Sequence, residues 1–211
     1  MAYDVVYRDI ISMILLAHGG ATADCIAELG SGWSANIFNL WRNGAPLDAE
    51  YVGCELTDVG RHIAARLAAK QNRRRYRVVP FDHRNPDPQL LSTEARSALL
   101  YSCHSLEQIE RVDERYFDRL IDGTKHIDLV RGVHVEPVAW QYGLDVSIYA
   151  TTPTWAIEGQ KAASWRHQNI NLKDVISGAE ARGILRVTYV ELHSITTAKD
   201  YPTATIAWTR T

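Results

Sequence analysis

Cysteine is scarce in this chain of 211 residues, which carries three: Cys25, Cys54 and Cys103. The number is odd and no Cys-x-x-Cys pair occurs. That excludes a disulfide scaffold and a redox dithiol, and it suits reduced, buried thiols in a cytoplasmic protein. Long apolar runs are also missing. The longest, Ile10 to Ala17, is broken by Ser12 and falls far short of the roughly 20 residues of a membrane span. Asp4, Arg8 and Asp9 ahead of it do not fit a secretion signal. Net charge is nearly absent at -2, so no overall field draws nucleic acid or an anionic membrane. Arg73, Arg74 and Arg75 form the local exception and read as a solvated connector. No His/Cys set has metal-ligand spacing, so no metal is expected. Repeats, low-complexity tracts and linkers are absent, and residues 1–211 read as one domain.

What is present is an ordinary globular composition, 46% hydrophobic and 23% charged, arranged as alternating strand-like and helix-like segments. Strand patterns cover 25–29 (CIAEL), 51–57, 76–81, 97–103, 126–138, 184–195 and 203–210. Helical patterns cover 35–44 with Ser34 as cap, 59–71 with Asp58 as cap, 108–121 and 175–182, and Asp87 and Asn171 read as further caps. Residues 1–20 read as an N-terminal helix, and 139–174 as an irregular insertion on the substrate side. Strand–helix alternation implies a parallel sheet with helices on both faces. The last two strands have no room for a helix between them, which implies an antiparallel hairpin. The expectation is an α/β, single-domain, Rossmann-like three-layer αβα sandwich of about seven strands, mostly parallel.

The stretch CIAELGSGWS (25–34) runs a strand into two glycines at the mouth of a helix. Ligands of open parallel sheets gather at such strand ends. Glycine permits a sharp turn and a close ligand approach, and the free N–H groups of Trp33 and Ser34 can receive a polar group. The pattern Gly30-x-Gly32-x-x-Ala35 is weak by itself. The lysine of a GxxxxGK loop is missing, which argues against nucleoside triphosphate hydrolysis. Glu55 ends the second strand, where an acidic side chain accepts both hydroxyls of a ribose. Asp82 ends the third, placed to accept from the exocyclic amine of an adenine with Phe81 covering the ring. Ser102, Cys103 and His104 end the fourth.

With E-L-G-S-G (28–32), Glu55, Asp82 and the terminal hairpin in place, nearly the whole chain resembles the class I (seven-stranded, Rossmann-like) S-adenosylmethionine-dependent methyltransferases. The resemblance implies S-adenosyl-L-methionine as cofactor and S-adenosyl-L-homocysteine as product. It implies Glu28, Gly30, Ser31 and Gly32 beneath the methionine part, Glu55 on the ribose, Asp82 with His83 at the adenine, and Ser102 and His104 near the sulfonium. It also implies an N-terminal helix over the cofactor, with Tyr3 or Tyr7 closing the site. Trp33 departs from the family's pattern, being bulky where a small or polar residue is usual.

Candidate acceptor-side groups follow strands four and five. His104 and Glu107 lie after the fourth. In the fifth, alternation puts His134 and Glu136 on one face, either to take a proton and orient an acceptor or to pair with each other. Trp140, Tyr142 and Trp155 are candidate walls. Trp165, His167 and Asn169 belong to a donor-rich cluster that reads as a substrate lid or a solvated loop. His18, His62 and His126 read as surface or packing residues. The expected reaction is methyl transfer to O or N of a small polar metabolite, with secondary metabolism as a candidate setting. The partner is that small molecule, with no membrane, no nucleic acid and a homodimer left open. Three other readings compete, and intact Glu28, Gly30, Gly32, Glu55 and Asp82 argue against one of them, a non-enzymatic regulatory subunit that keeps the pocket without catalysis. An NAD-dependent oxidoreductase calls for a Tyr-x-x-x-Lys set or similar that is not here, and a protein or RNA methyltransferase is supported only by the arginine run.

Overall fold

Seven strands form one sheet in the order β3-β2-β1-β4-β5-β7-β6. The computed structural model describes residues 2–71, 75–86, 91, 94–143, 169–195 and 203–211. The strands are β1 (Cys25–Leu29), β2 (Glu50–Glu55), β3 (Arg75–Pro80), β4 (Ser97–Cys103), β5 (Leu129–Glu136), β6 (Leu185–Ile195) and β7 (Thr203–Arg210). Strands β1 to β5 pair in parallel, and β7 runs antiparallel between β5 and β6. The strand order reverses between β1 and β4, which is where an open α/β sheet opens a crevice.

Among the described residues five helices flank the sheet: α1 (Ala2–Leu15), α2 (Ala35–Arg42), α3 (Asp58–Ala68), α4 (Tyr116–Asp122) and α5 (Leu172–Ala181). Strand alternation divides the core in two. Cys25, Ala27 and Leu29 face a cluster that includes Tyr116, Phe117 and Ile176 of α4 and α5. Ile26 faces Ile11, Leu15, Ile37 and Leu40 of α1 and α2. Because β1 is covered on both sides, all five of its residues are buried, Glu28 included.

Three local expectations are corrected. The helix expected over 108–121 begins only at Tyr116, after a short 3-10 turn at Leu106–Gln108. The backbone between them is taken by other partners: Val112 donates to and accepts from the Asn171 side chain at 2.9 Å, and Glu110 accepts from the Ile170 amide. Ser34 does not cap α2. It sits at φ +63°, and its hydroxyl bonds the Tyr76 hydroxyl at 2.8 Å. Thr57, not Asp58, caps α3, accepting from the Gly60 amide at 3.1 Å. Asp87 lies outside the described residues.

Candidate active site

The turn after β1 is built so that only glycine fits its first position. Gly30 has φ +75°, and a Cβ there would lie 2.5 Å from Ser105 Cβ and 2.9 Å from His83 Nε2. The Gly30 and Ser31 amides donate to the Cys54 carbonyl at 2.8 and 2.9 Å, which hooks the turn over β2. Gly32, at φ +55°, has open space where its Cβ would be. Its amide donates to Glu55 Oε2 at 2.9 Å. A cavity of about 330 Å³ opens here, lined by Gly30, Gly32, Glu55, Phe81, Asp82 and His83, among others. It lies at the carboxyl ends of β1, β2 and β3.

Glu55 is held in place by its own loop. Oε1 accepts from the Thr57 amide at 2.8 Å and the Thr57 hydroxyl at 2.6 Å. Burial opposes ionisation, but these bonds and the Gly32 amide outweigh it and hold the carboxyl below its usual range. A carboxylate has about four lone-pair sites, so Glu55 keeps acceptor capacity for a ligand. Asp82 Oδ1 accepts from the Arg84 amide at 2.9 Å. His83 is buried beneath Gly30. Ser105 Oγ donates to the Leu29 carbonyl at 2.8 Å, so it accepts from His83 Nε2 at 3.2 Å. Nδ1 then accepts from the Tyr116 hydroxyl at 2.9 Å. Burial pushes the ring down to about 4, so it is a neutral floor for the cavity.

Glu28 lies on the other face of the sheet. Its Oε1 accepts from Asn36 Nδ2 at 2.6 Å, and Asn36 Oδ1 accepts from Arg8 at 2.7 Å. Arg8 in turn lies over the Trp33 ring, 5.7 Å from its centroid. Thus Glu28 ties β1 to α2 and α1, and Trp33 receives the cation at the end of that chain. Burial pushes the Glu28 carboxyl up to about 7. Ser31 is buried, with its hydroxyl facing Gly53. Neither Glu28 nor Ser31 lines the cavity.

At the ends of β4 and β5 a second network forms. Trp208 Nε1 donates to His134 Nε2 at 2.9 Å, so the neutral ring carries its proton on Nδ1, which donates to Ser102 Oγ at 2.9 Å. Ser102 donates to Glu136 Oε1 at 2.7 Å. The Glu136 carboxylate also accepts from the Ser105, Leu106 and Glu107 amides, each at 3.3 Å. The acceptor-side role expected of His134 is corrected by this geometry. The ring is fully buried between Phe117 and Trp208, both nitrogens are engaged, and burial lowers it to about 3. Glu136 is equally buried and anchors the 105–107 turn. Burial, then the nearby Glu107, push it up to about 7. His104 follows β4 directly, half-buried and with φ +51°. Its Nδ1 lies 3.3 Å from Glu107 Oε2, and its ring meets the edge of Tyr7 of α1 at 5.9 Å.

Asn169 is corrected from substrate contact to structural pin. Its amide nitrogen donates to the Leu106 and Ile109 carbonyls at 3.3 and 3.0 Å, and its Oδ1 accepts from the Leu172 amide at 2.9 Å. Tyr142 packs on the core with Lys173 over its ring, and Trp140 is half-buried in the neighbouring 3-10 turn at Ala139–Tyr142. Trp155, Trp165 and His167 lie outside the described residues, as does the Tyr3 side chain. Sequence reasoning missed Asn36, Thr57, Ser105, Tyr116 and Trp208. These polar and aromatic side chains belong to no motif and meet the site only through the fold. Among the described residues no cluster of His, Cys, Asp and Glu is arranged to hold a metal, and no helix is long and apolar enough to cross a membrane.

Neither a protein-family model nor a curated protein matches the sequence. Solved structures do match the fold. A SAM-dependent methyltransferase from Aquifex aeolicus superposes with TM-score 0.56 at 9% identity, over 95% of this chain and 89% of that one. The magnesium protoporphyrin IX methyltransferase of Synechocystis PCC 6803, with bound SAH, gives 0.59 at 11% identity over 99% and 84%. A geranyl diphosphate methyltransferase in complex with SAM gives 0.57 at 14% over 96% and 85%. The chain has the seven-stranded, Rossmann-like fold of the class I S-adenosylmethionine-dependent methyltransferases.

Proposed function

We propose that the protein is a methyltransferase that uses S-adenosyl-L-methionine and acts on an oxygen or nitrogen of a small polar molecule. One observation carries the reading: a single cavity brings the two glycines of the β1 turn together with Glu55 and Asp82. Its volume lies in the range of small-molecule pockets, about 300–1,000 Å³. The residues fit the cofactor. Gly30 and Gly32 leave the backbone bare for close approach, Glu55 retains a lone pair on Oε2 for a ribose hydroxyl, and Asp82 with Phe81 and His83 suits an adenine edge and face.

The bound cofactor supplies an electrophilic methyl group on a sulfonium, open to in-line displacement. The protein's part is then mainly to position the acceptor. His104, oriented by Glu107 at the rim of β4, takes a proton from a hydroxyl or ammonium acceptor. Glu136 fixes the turn that carries Glu107. The small acceptor is supported by the near-neutral charge, and by neighbours whose names give magnesium protoporphyrin IX and geranyl diphosphate as their substrates. Three cysteines with no disulfide between them fit a reducing, cytoplasmic compartment.

Calorimetric titration with S-adenosylhomocysteine and, separately, with NAD tests the assignment. Micromolar binding of the first and none of the second is expected. The reverse result overturns it.

A further inference from the structure

A second cavity, of about 480 Å³, lies at the opposite end of the sheet from Glu55, on the α1 face. Arg131, near the start of β5, points into it. The other half-buried arginines, Arg8, Arg61, Arg77, Arg119 and Arg210, each donate to an acceptor. The Arg131 guanidinium makes no hydrogen bond or ion pair among the described residues. A half-buried cation with five donors and no protein acceptor keeps those donors for water or for an anionic ligand.

Two departures from regular backbone converge on the same cavity. Between α1 and β1 the chain forms a π-type turn, Leu16–Gly20, with Gly19 at φ +123°. A Cβ on Gly19 would lie 2.8 Å from Arg131 Cδ and 3.1 Å from a guanidinium nitrogen, so the bare backbone is what lets the arginine lie there. On the other side, β6 bulges between Val187 and Tyr189, leaving Thr188 without a register partner on β7. Bulges and π-turns cost ladder bonds and are concentrated at functional positions. Here both border Arg131. The cavity wall adds the Thr188 hydroxyl and the ring of His18, and it contains no carboxylate, while the Thr22 and Thr209 hydroxyls donate to the Gly19 and Val130 carbonyls at 3.5 and 3.2 Å.

We infer that this cavity is a binding site for a phosphate group of a small molecule, with Arg131 as its anchor. The guanidinium fork matches two oxygens of a phosphate, and the Thr188 hydroxyl supplies a donor for a third, one more than the two oxygens of a carboxylate need. The site does not depend on the methyltransferase reading, because it shares no residue with the glycine-turn cavity.

The test is a titration of the full chain with inorganic phosphate at constant ionic strength, balanced with chloride and read by calorimetry and by thermal unfolding. The wild type is expected to bind phosphate and gain melting temperature, with acetate giving a smaller response. Arg131→Gln is expected to weaken phosphate binding about tenfold or more, as the loss of a charged donor does, and to leave S-adenosylhomocysteine binding unchanged. Thr188→Val, which keeps the arginine and its packing, is expected to weaken phosphate binding severalfold, and it decides the matter if Arg131→Gln does not fold. Equal responses to phosphate and chloride, or phosphate affinity unchanged in the variant that folds, overturn the site.

Discussion

The Gly32 amide donates to Glu55 Oε2 at 2.9 Å, so the glycine turn after β1 and the acidic end of β2 form one unit. The bond orients the carboxylate toward the cavity before any ligand arrives. A preorganised acceptor loses less freedom on binding than one that must first be ordered.

Glu55→Ala is therefore expected to weaken S-adenosylhomocysteine binding by about 1.5–3 kcal/mol, the range for hydrogen bonds to a charged group. Calorimetric titration measures it directly. Unchanged affinity in a folded variant places the ribose elsewhere.

The two glycines differ in what they tolerate. Gly32→Ala meets open space, so only its positive φ is penalised, by about 1–2 kcal/mol. Gly30→Ala adds overlap with Ser105 and His83 and is expected to lose clearly more stability. Urea unfolding of both variants checks the order. Equal losses contradict the packing described for Gly30.

His104→Ala is expected to lower kcat about a hundredfold, the scale of general base catalysis, while cofactor affinity stays close to that of the wild type. Single-turnover methyl transfer, once an acceptor is found, provides the measurement. A loss of cofactor affinity equal to the loss of rate argues that His104 shapes the pocket instead.

Glu136 gives a pH signature. Its folded value of about 7 lies above the ordinary 4.5, so between these limits the folded state holds a proton that the unfolded state releases. Stability contributed by this group is fully present below about 4.5 and is lost as pH rises to about 7. The stability of the wild type minus that of Glu136→Gln should fall across this window and level off above it. His83 and His134, lowered to about 4 and about 3, act in the opposite sense as pH drops below 6.5, but both proteins share them. A flat difference curve rules out the buried, raised carboxyl.

Much of this arrangement is legible in residue order. Short apolar or strand-like runs mark all seven strands, and the missing helix between the last two announces the antiparallel pair. Gly30, Gly32, Glu55 and Asp82 stand at strand ends, and the sheet brings strand ends together. His134 and Glu136 are different. Their shared face is visible in the sequence, but Ser102 and Trp208, which bind them, come from other strands 32 and 74 positions away. The helix expected from Gln108 failed for the same reason, because Asn171, far along the chain, takes the backbone of Val112.

The sequence alone determined which segments become strands and helices and which residues sit where strands end, because period, glycine and proline act locally. The tertiary structure decided which carboxylates line the cavity and which are buried under helices on the other face of the sheet. Glu28 and Glu55 look alike in order along the chain. One is sealed under α1 and α2 and the other opens to the cavity, a difference set by the helices that cover each face and by desolvation, which no local pattern encodes.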